Sequence, residues 1–301
     1  MHIMIHVTKC GYKHLFAGFC IGILLFTGGL SCSIQKLAVG ATSGIVNNTL
    51  TAIYTQSDLV YAEKAIPGNL ALLDGLIKSD PNNKDVLLNA VIGYTGYALG
   101  FVEDQDPERA VAFYAKARDY GLTLLAKNKA LKNIRSSNLE DLEAALLKTR
   151  KKDVPALFWT ANAWGSYIKL SLDDIYAVAD LGKVEAIMNR VLELDETFYF
   201  GGAHLFLGVM EIEKGIAGKP DKSKEHFERA LEISERKFLL TQVMYARHYA
   251  VNRFDKELFD TLLKEVLDTQ GDVLPEYRLI NEIAKKKAEL YLSMKDEWFE
   301  N

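Results

Sequence analysis

Residues 91–118 read VIGYTGYALGFVEDQDPERAVAFYAKAR, and this stretch decides the fold. No residue from Val91 to Val102 is charged, and the run ends in the acidic punctuation Glu103, Asp104, Asp106. Asp106-Pro107 then marks a helix start: an acid that can cap, before a proline placed where a missing N–H costs nothing. Beyond it Ala110, Tyr114 and Ala117 recur four and three residues apart, one face of an amphipathic helix. Ile92-Gly93 on a first helix, then small–aromatic–small on a second, is the pattern of a tetratricopeptide hairpin. Its chemistry is packing. Small residues let the two helices approach, and the aromatic ring fills the next groove.

The same pattern recurs outward from this stretch. Trp164-Gly165 is followed by Val184, Met188 and Val191; Leu207-Gly208 by Ser223, Phe227 and Ala230; Tyr245-Ala246 by Leu258 and Leu262. Upstream, Asn69, Leu73 and Leu76 lead to Pro81, as a second helix leads to a repeat's terminal proline. The small-residue positions are spaced 72, 43 and 38 residues apart. A standard repeat spans about 34, so the loops carry insertions. Asp80-Pro81 reads as a further helix start, Val154-Pro155 and Lys219-Pro220 as breaks, Gly121 and Gly271 as helix stops. Two-residue alternation is almost absent. The reading is an all-α chain of about eleven or twelve helices, with tetratricopeptide-like hairpins stacked into a curled solenoid with additional helices. An unrelated helical bundle is the plainer alternative.

The whole chain has 301 residues, 49% hydrophobic and 25% charged, with formal net charge −4. That is a globular composition, and the acidic balance argues against a nucleic-acid partner. The three cysteines, Cys10, Cys20 and Cys32, all fall near the start, so the rest has no disulfide framework and no cysteine zinc site. Residues 1–31 contain no acid; Lys9 and Lys13 precede an uncharged stretch from Leu15 to Leu30. This is a basic segment followed by an apolar one, the layout of a secretory signal. It closes on Gly29-Leu30-Ser31-Cys32, which resembles a bacterial lipobox with glycine where leucine is usual. We read 1–31 as a lipoprotein signal peptide, 32–60 as the lipidated N-terminus and first helix, and 61–301 as one helical domain. Acyl chains on Cys32 would anchor the protein to a membrane. A plain signal peptide or a retained N-terminal helix is the bland alternative.

Motifs that carry chemistry are missing. There is no G-x-S-x-G and no H-E-x-x-H. Gly93, Gly96 and Gly100 lie in a helical pattern and read as sites of close helix contact, not as a phosphate loop. His204, His226 and His248 sit 22 residues apart on different helices and read as surface or helix-end residues. Glu103, Asp104, Asp106 and Glu108 read as helix N-terminal charge rather than a calcium loop. No enzyme, cofactor or metal is expected. The aromatic residues form helical stripes: Tyr94, Tyr97, Phe101; Phe158, Trp159, Trp164, Tyr167; and Phe198, Tyr199, Phe200, Phe206. Ordinary core explains most such residues. A curled chain can also line a central apolar pore with them, and the candidates are Tyr94, Tyr97, Phe101, Trp159 and Trp164.

Two segments, AIPGNLALLDGL at 65–76 and GYTGYALGFVEDQDPERAVAFYAKARDYGL at 93–122, resemble the T component of tetratricopeptide-associated TRAP transporters. The segment from Cys32 to Val39, CSIQKLAV, is similar to that family's lipidated start. The resemblance implies a non-enzymatic lipoprotein on the periplasmic face of a bacterial membrane. It implies tetratricopeptide-like hairpins around a hydrophobic pore, a partnership with the importer's periplasmic substrate-binding protein, and a hydrophobic ligand such as an organic or fatty acid. It also implies a homo-oligomer, with a trimer as the first expectation. A generic tetratricopeptide lipoprotein that scaffolds envelope protein assembly is the alternative reading.

Overall fold

Every regular element among the described residues is a helix. The computed structural model describes residues 39–300, residue 41 excepted. The readings of 1–31 as a signal peptide and of Cys32 as a lipidation site lie outside these residues.

The helices are α1 over 42–54, α2 Leu59–Ser79, α3 Lys84–Tyr97, α4 Pro107–Leu125, α5 Leu139–Leu146, α6 Val154–Lys169 and α7 Ile175–Ala179. They continue as α8 Leu181–Asp195, α9 Phe198–Glu213, α10 Pro220–Ile233, α11 Leu240–Met244, α12 Lys256–Asp268, α13 Arg278–Ser293 and α14 Lys295–Phe299. Leaving out the five-residue helices α7, α11 and α14, eleven remain. Two helices run on into π turns, α3 through Ala98–Val102 and α11 through Tyr245–Ala250.

Side-chain caps explain where many helices begin. The carboxylates of Asp58, Asp106 and Asp255 accept the N–H of Tyr61, Arg109 and Leu258; the amide oxygens of Asn83 and Asn138 accept those of Val86 and Asp141. Each such cap contributes about 0.5–2 kcal/mol. Asp106-Pro107 starts α4 as its sequence demands. Asp80-Pro81 does not start a helix. The Asp80 N–H bonds the Leu76 carbonyl and closes α2, and Asn83 caps α3 instead. Gly271, at φ +72°, follows the end of α12, but Gly121 is no stop. It lies inside α4, where an added Cβ would fall 2.5 Å from Thr160 Oγ1 of α6. Its small size serves a helix crossing.

The hairpin signature marks the packed faces. Ala110, Tyr114 and Ala117 are fully buried, as are Val184, Met188 and Val191, and Ser223, Phe227 and Ala230. Gly208 rests on the Phe227 ring, and the Ser223 hydroxyl donates to the Gly208 carbonyl at 2.7 Å. The last unit follows the expected register only in part. Leu262 is buried as expected but Leu258 is half-exposed, and α12 also buries Phe259, Leu263 and Val266, with the same four-and-three spacing one residue later.

Consecutive long helices pack on one another from α2 to α4, from α6 on α4 through α8 and α9 to α10, and from α11 to α13. Then α13 returns to the beginning. It contacts α2, Ile283 fills the space left by Gly100, and the Lys287 ammonium pairs with Asp104, which also accepts from the Tyr291 hydroxyl at 3.2 Å. The row of helices therefore closes on itself. One apolar core runs through α1–α9 and takes in Leu279 and Ile283 of α13, and a second runs through α9–α14; Tyr199 and Ile280 pack against both.

Candidate ligand-binding chambers

Closure leaves two spaces, one walled mainly by the first core and one between the two cores. An outer chamber of about 770 Å³ lies under α1, with Leu50, Ile53 and Tyr54 on one wall and Leu279, Ile280 and Ile283 of α13 on another. An inner chamber of about 220 Å³ lies between α6, α9 and α11. Gly96, Trp159, Tyr199 and Ile280 line both, so the chambers adjoin across these four residues. An added Cβ at Gly96 would meet no atom within 4 Å. Of the three helical glycines, Gly93 and Gly100 are tight contacts against Leu70 and Ile283, but Gly96 opens onto space.

Local backbone geometry builds the junction. Tyr199, Phe200 and Gly201 at the start of α9 have φ of 48°, 61° and 74°, the left-handed region. For the two aromatic residues this costs roughly 1–2 kcal/mol each. Aromatic packing holds them there. The Tyr199 ring lies 4.7 Å from Trp159, 5.5 Å from Phe238 and 5.9 Å from Tyr277, and Phe200 stacks on Phe238 at 4.9 Å. The π turns contribute in the same way: the first carries Leu99 and Phe101 to the chamber walls, the second His248.

Of the aromatic candidates, Tyr97, Phe101 and Trp159 line the outer chamber, and Trp159 also the inner. Tyr94 and Trp164 line neither. The Tyr94 hydroxyl donates to Asp74 Oδ2 at 2.9 Å and Lys116 sits over its ring at 4.7 Å, so its polar end is committed between α2 and α4. Trp164 lies five residues after Trp159, about 140° around α6, and is buried in the core. Sequence reasoning read Gly96 as a close helix contact, which its open surroundings overturn, and passed over Tyr54, Tyr277 and Ile280. Tyr199 was in a recognised stripe, but nothing in its spacing announces a left-handed turn.

The inner chamber has a charged side. Lys169 pairs with Glu103 there, and the His248 ring bonds Glu213 at 2.6 Å. Burial lowers the His248 pKa below the usual 6.5, against the opposing pull of the Glu213 carboxylate. These placements revise two expectations. Asp106 and Glu108 do serve the α4 N-terminus, but Glu103 and Asp104 are partners of deeply placed lysines. The histidines are not surface residues either. His204 and His226 touch through their Nδ1 atoms at 2.9 Å, and the His248 side chain is only 10% exposed. Among the described residues no three histidine, cysteine or acidic side chains gather as metal ligands.

Glu103 makes a pH prediction. Burial alone would raise its carboxyl, but Lys169, Lys287 and the Tyr114 hydroxyl hold it at about 2 against the usual 4.5. A carboxyl lowered on folding stabilises fully above its unfolded pKa and loses that contribution as pH falls through the folded one. Thermal stability should therefore drop between pH 4.5 and 2. Glu103→Gln should melt lower at pH 7, with Lys169 left unpaired, and show a shallower dependence in the acid window. An unchanged acid profile would mean the pair is not coupled to folding.

A family model described as TRAP transporter T-component matches residues 55–299. No curated protein matches the sequence.

Proposed function

The chain belongs to the TRAP transporter T-component family, and from that premise we propose that its two chambers form a covered path for a hydrophobic small molecule during import. A TRAP transporter component works in the bacterial envelope, in association with the transporter's other components. In our reading Cys32 carries the lipid anchor and the helical domain stands on the periplasmic face. The domain docks the periplasmic substrate-binding protein and exchanges an organic or fatty acid with it, as a homo-oligomer for which a trimer is the first expectation.

The observation that carries this reading is the wall shared by the two chambers, Gly96, Trp159, Tyr199 and Ile280. An apolar molecule moved through water pays for its hydration at each transfer, and a continuous apolar lining avoids that. The outer chamber lies within the range of about 300–1,000 Å³ usual for small-molecule sites. Native mass spectrometry of the full-length chain with the substrate-binding protein of its TRAP system tests the reading. A complex of the two, with an organic molecule carried by either, is the expected result. No complex at micromolar concentrations, together with no uptake of any apolar probe, would overturn it.

A further inference from the structure

Two groups of tyrosines in this fold contrast. Those between helices spend their hydroxyls on carboxylates: Tyr94 and Tyr120 on Asp74, Tyr114 on Glu103, Tyr245 on Glu228, Tyr291 on Asp104. The four lining the outer chamber do not: Tyr54 of α1, Tyr97 of α3, Tyr199 of the left-handed turn and Tyr277 just before α13 have no hydrogen-bond partner among the described residues, and all but Tyr97 are neighbours of one another. Tyr199 and Tyr277 meet ring edge to ring face at 5.9 Å. Burial first, and then the neighbouring phenols, hold Tyr54 and Tyr199 above the usual phenol range, so both remain neutral donors.

Tyr54, Tyr199 and Tyr277 are half-buried and none of their hydroxyls is sealed from solvent, so water can satisfy them in the open chamber, and a ligand that displaces this water must replace its hydrogen bonds. The rest of the lining restricts the ligand. Among the described residues it contains no lysine, arginine or histidine, and the charged member there is the exposed Glu276. An ionised head group would lose its hydration here without gaining a counter-charge. A neutral oxygen loses little and gains hydrogen bonds.

We infer that the outer chamber is the head-group end of the path, where Tyr54, Tyr199 and Tyr277 donate hydrogen bonds to an uncharged, oxygen-bearing head. The head is a protonated carboxyl, an ester or an alcohol, and the ligand's apolar tail runs past Trp159 toward the inner chamber. This rests on the reading of the chambers as a ligand path and adds the chemistry of the head and its orientation.

The test uses the full-length chain with three probes: the apolar fluorophore diphenylhexatriene, methyl laurate, and laurate at pH 8, where its head is ionised. Methyl laurate should bind at least about tenfold more tightly than the laurate anion. Tyr54→Phe, Tyr199→Phe and Tyr277→Phe keep the rings and remove only the hydroxyls. Each should weaken methyl laurate by about two- to tenfold, the usual worth of one hydrogen bond. Diphenylhexatriene affinity and melting temperature should hold. Methyl laurate binding unchanged in all three variants, or a laurate anion that binds more tightly than the ester, overturns the head-group assignment and leaves the path standing. A fall of several degrees in melting temperature in all three also overturns it, since the hydroxyls would then be structural. Failure of every probe, diphenylhexatriene included, overturns the path and this inference with it.

Discussion

Gly96→Leu is expected to abolish retention of an apolar probe while leaving the melting temperature unchanged or slightly raised. Gly96 lies near the end of α3, between two chambers, and an added Cβ meets nothing within 4 Å. Glycine inside a helix costs roughly 0.5–1 kcal/mol relative to alanine, so a larger residue there relieves a cost if it has room. A leucine side chain would fill the junction that Trp159, Tyr199 and Ile280 share, and so separate the chambers. Gly121→Ala is the contrasting control. Its Cβ would fall 2.5 Å from Thr160 Oγ1, and neither residue lines a chamber, so stability should fall with no direct effect on the path. Melting curves and probe titrations on the two variants separate a blocked path from a damaged core. Full probe capacity in Gly96→Leu would mean that the junction is not on the ligand's route.

Asp104→Ala should be the more damaging change to the fold. Lys287 is 4% exposed, and Asp104 is its ion-pair partner, while Tyr291 also donates to that carboxylate. Truncating the acid leaves a buried ammonium and a phenol without their acceptor. Breaking a buried pair from one side costs about 3–5 kcal/mol. At roughly 2–4 °C per kcal/mol for a chain of this size, the melting temperature should fall by about 6–20 °C. Lys287→Met should cost less, because Asp104 is 25% exposed and can regain water. The double variant should recover part of the loss, as expected for coupled partners. A drop of under about 2 °C in Asp104→Ala would show that the clasp contributes little.

The helices and their packed faces were legible in the sequence because both are local. Asp106-Pro107 starts α4, and Ala110, Tyr114 and Ala117 are its buried stripe. The chambers were legible only in part. Tyr94 and Tyr97 share one helical spacing, and what separates them is Asp74, twenty residues before Tyr94 and on another helix. Gly93, Gly96 and Gly100 look alike in a string of letters. Leu70 and Ile283 close on two of them and nothing closes on the third. The acids at 103 and 104 looked like helix-start charge because their lysines, at 169 and 287, are remote in sequence. In each case the missing information was a partner far along the chain.

The clasp between Asp104 and Lys287 spans 183 residues, and this fixes an order of assembly. Hairpins such as α3 with α4 and α9 with α10 join neighbours along the chain and form at low entropic cost. The closing contact requires a very long loop to be drawn shut, and it cannot exist until α13 has been made. Synthesis runs from the N-terminus, so every incomplete chain has the walls of α2 and α3 without the helix that covers them. Neither chamber is therefore complete until α13 is in place. Until then the same apolar lining that would hold a ligand faces water, and the unfinished ring is the species most exposed to aggregation.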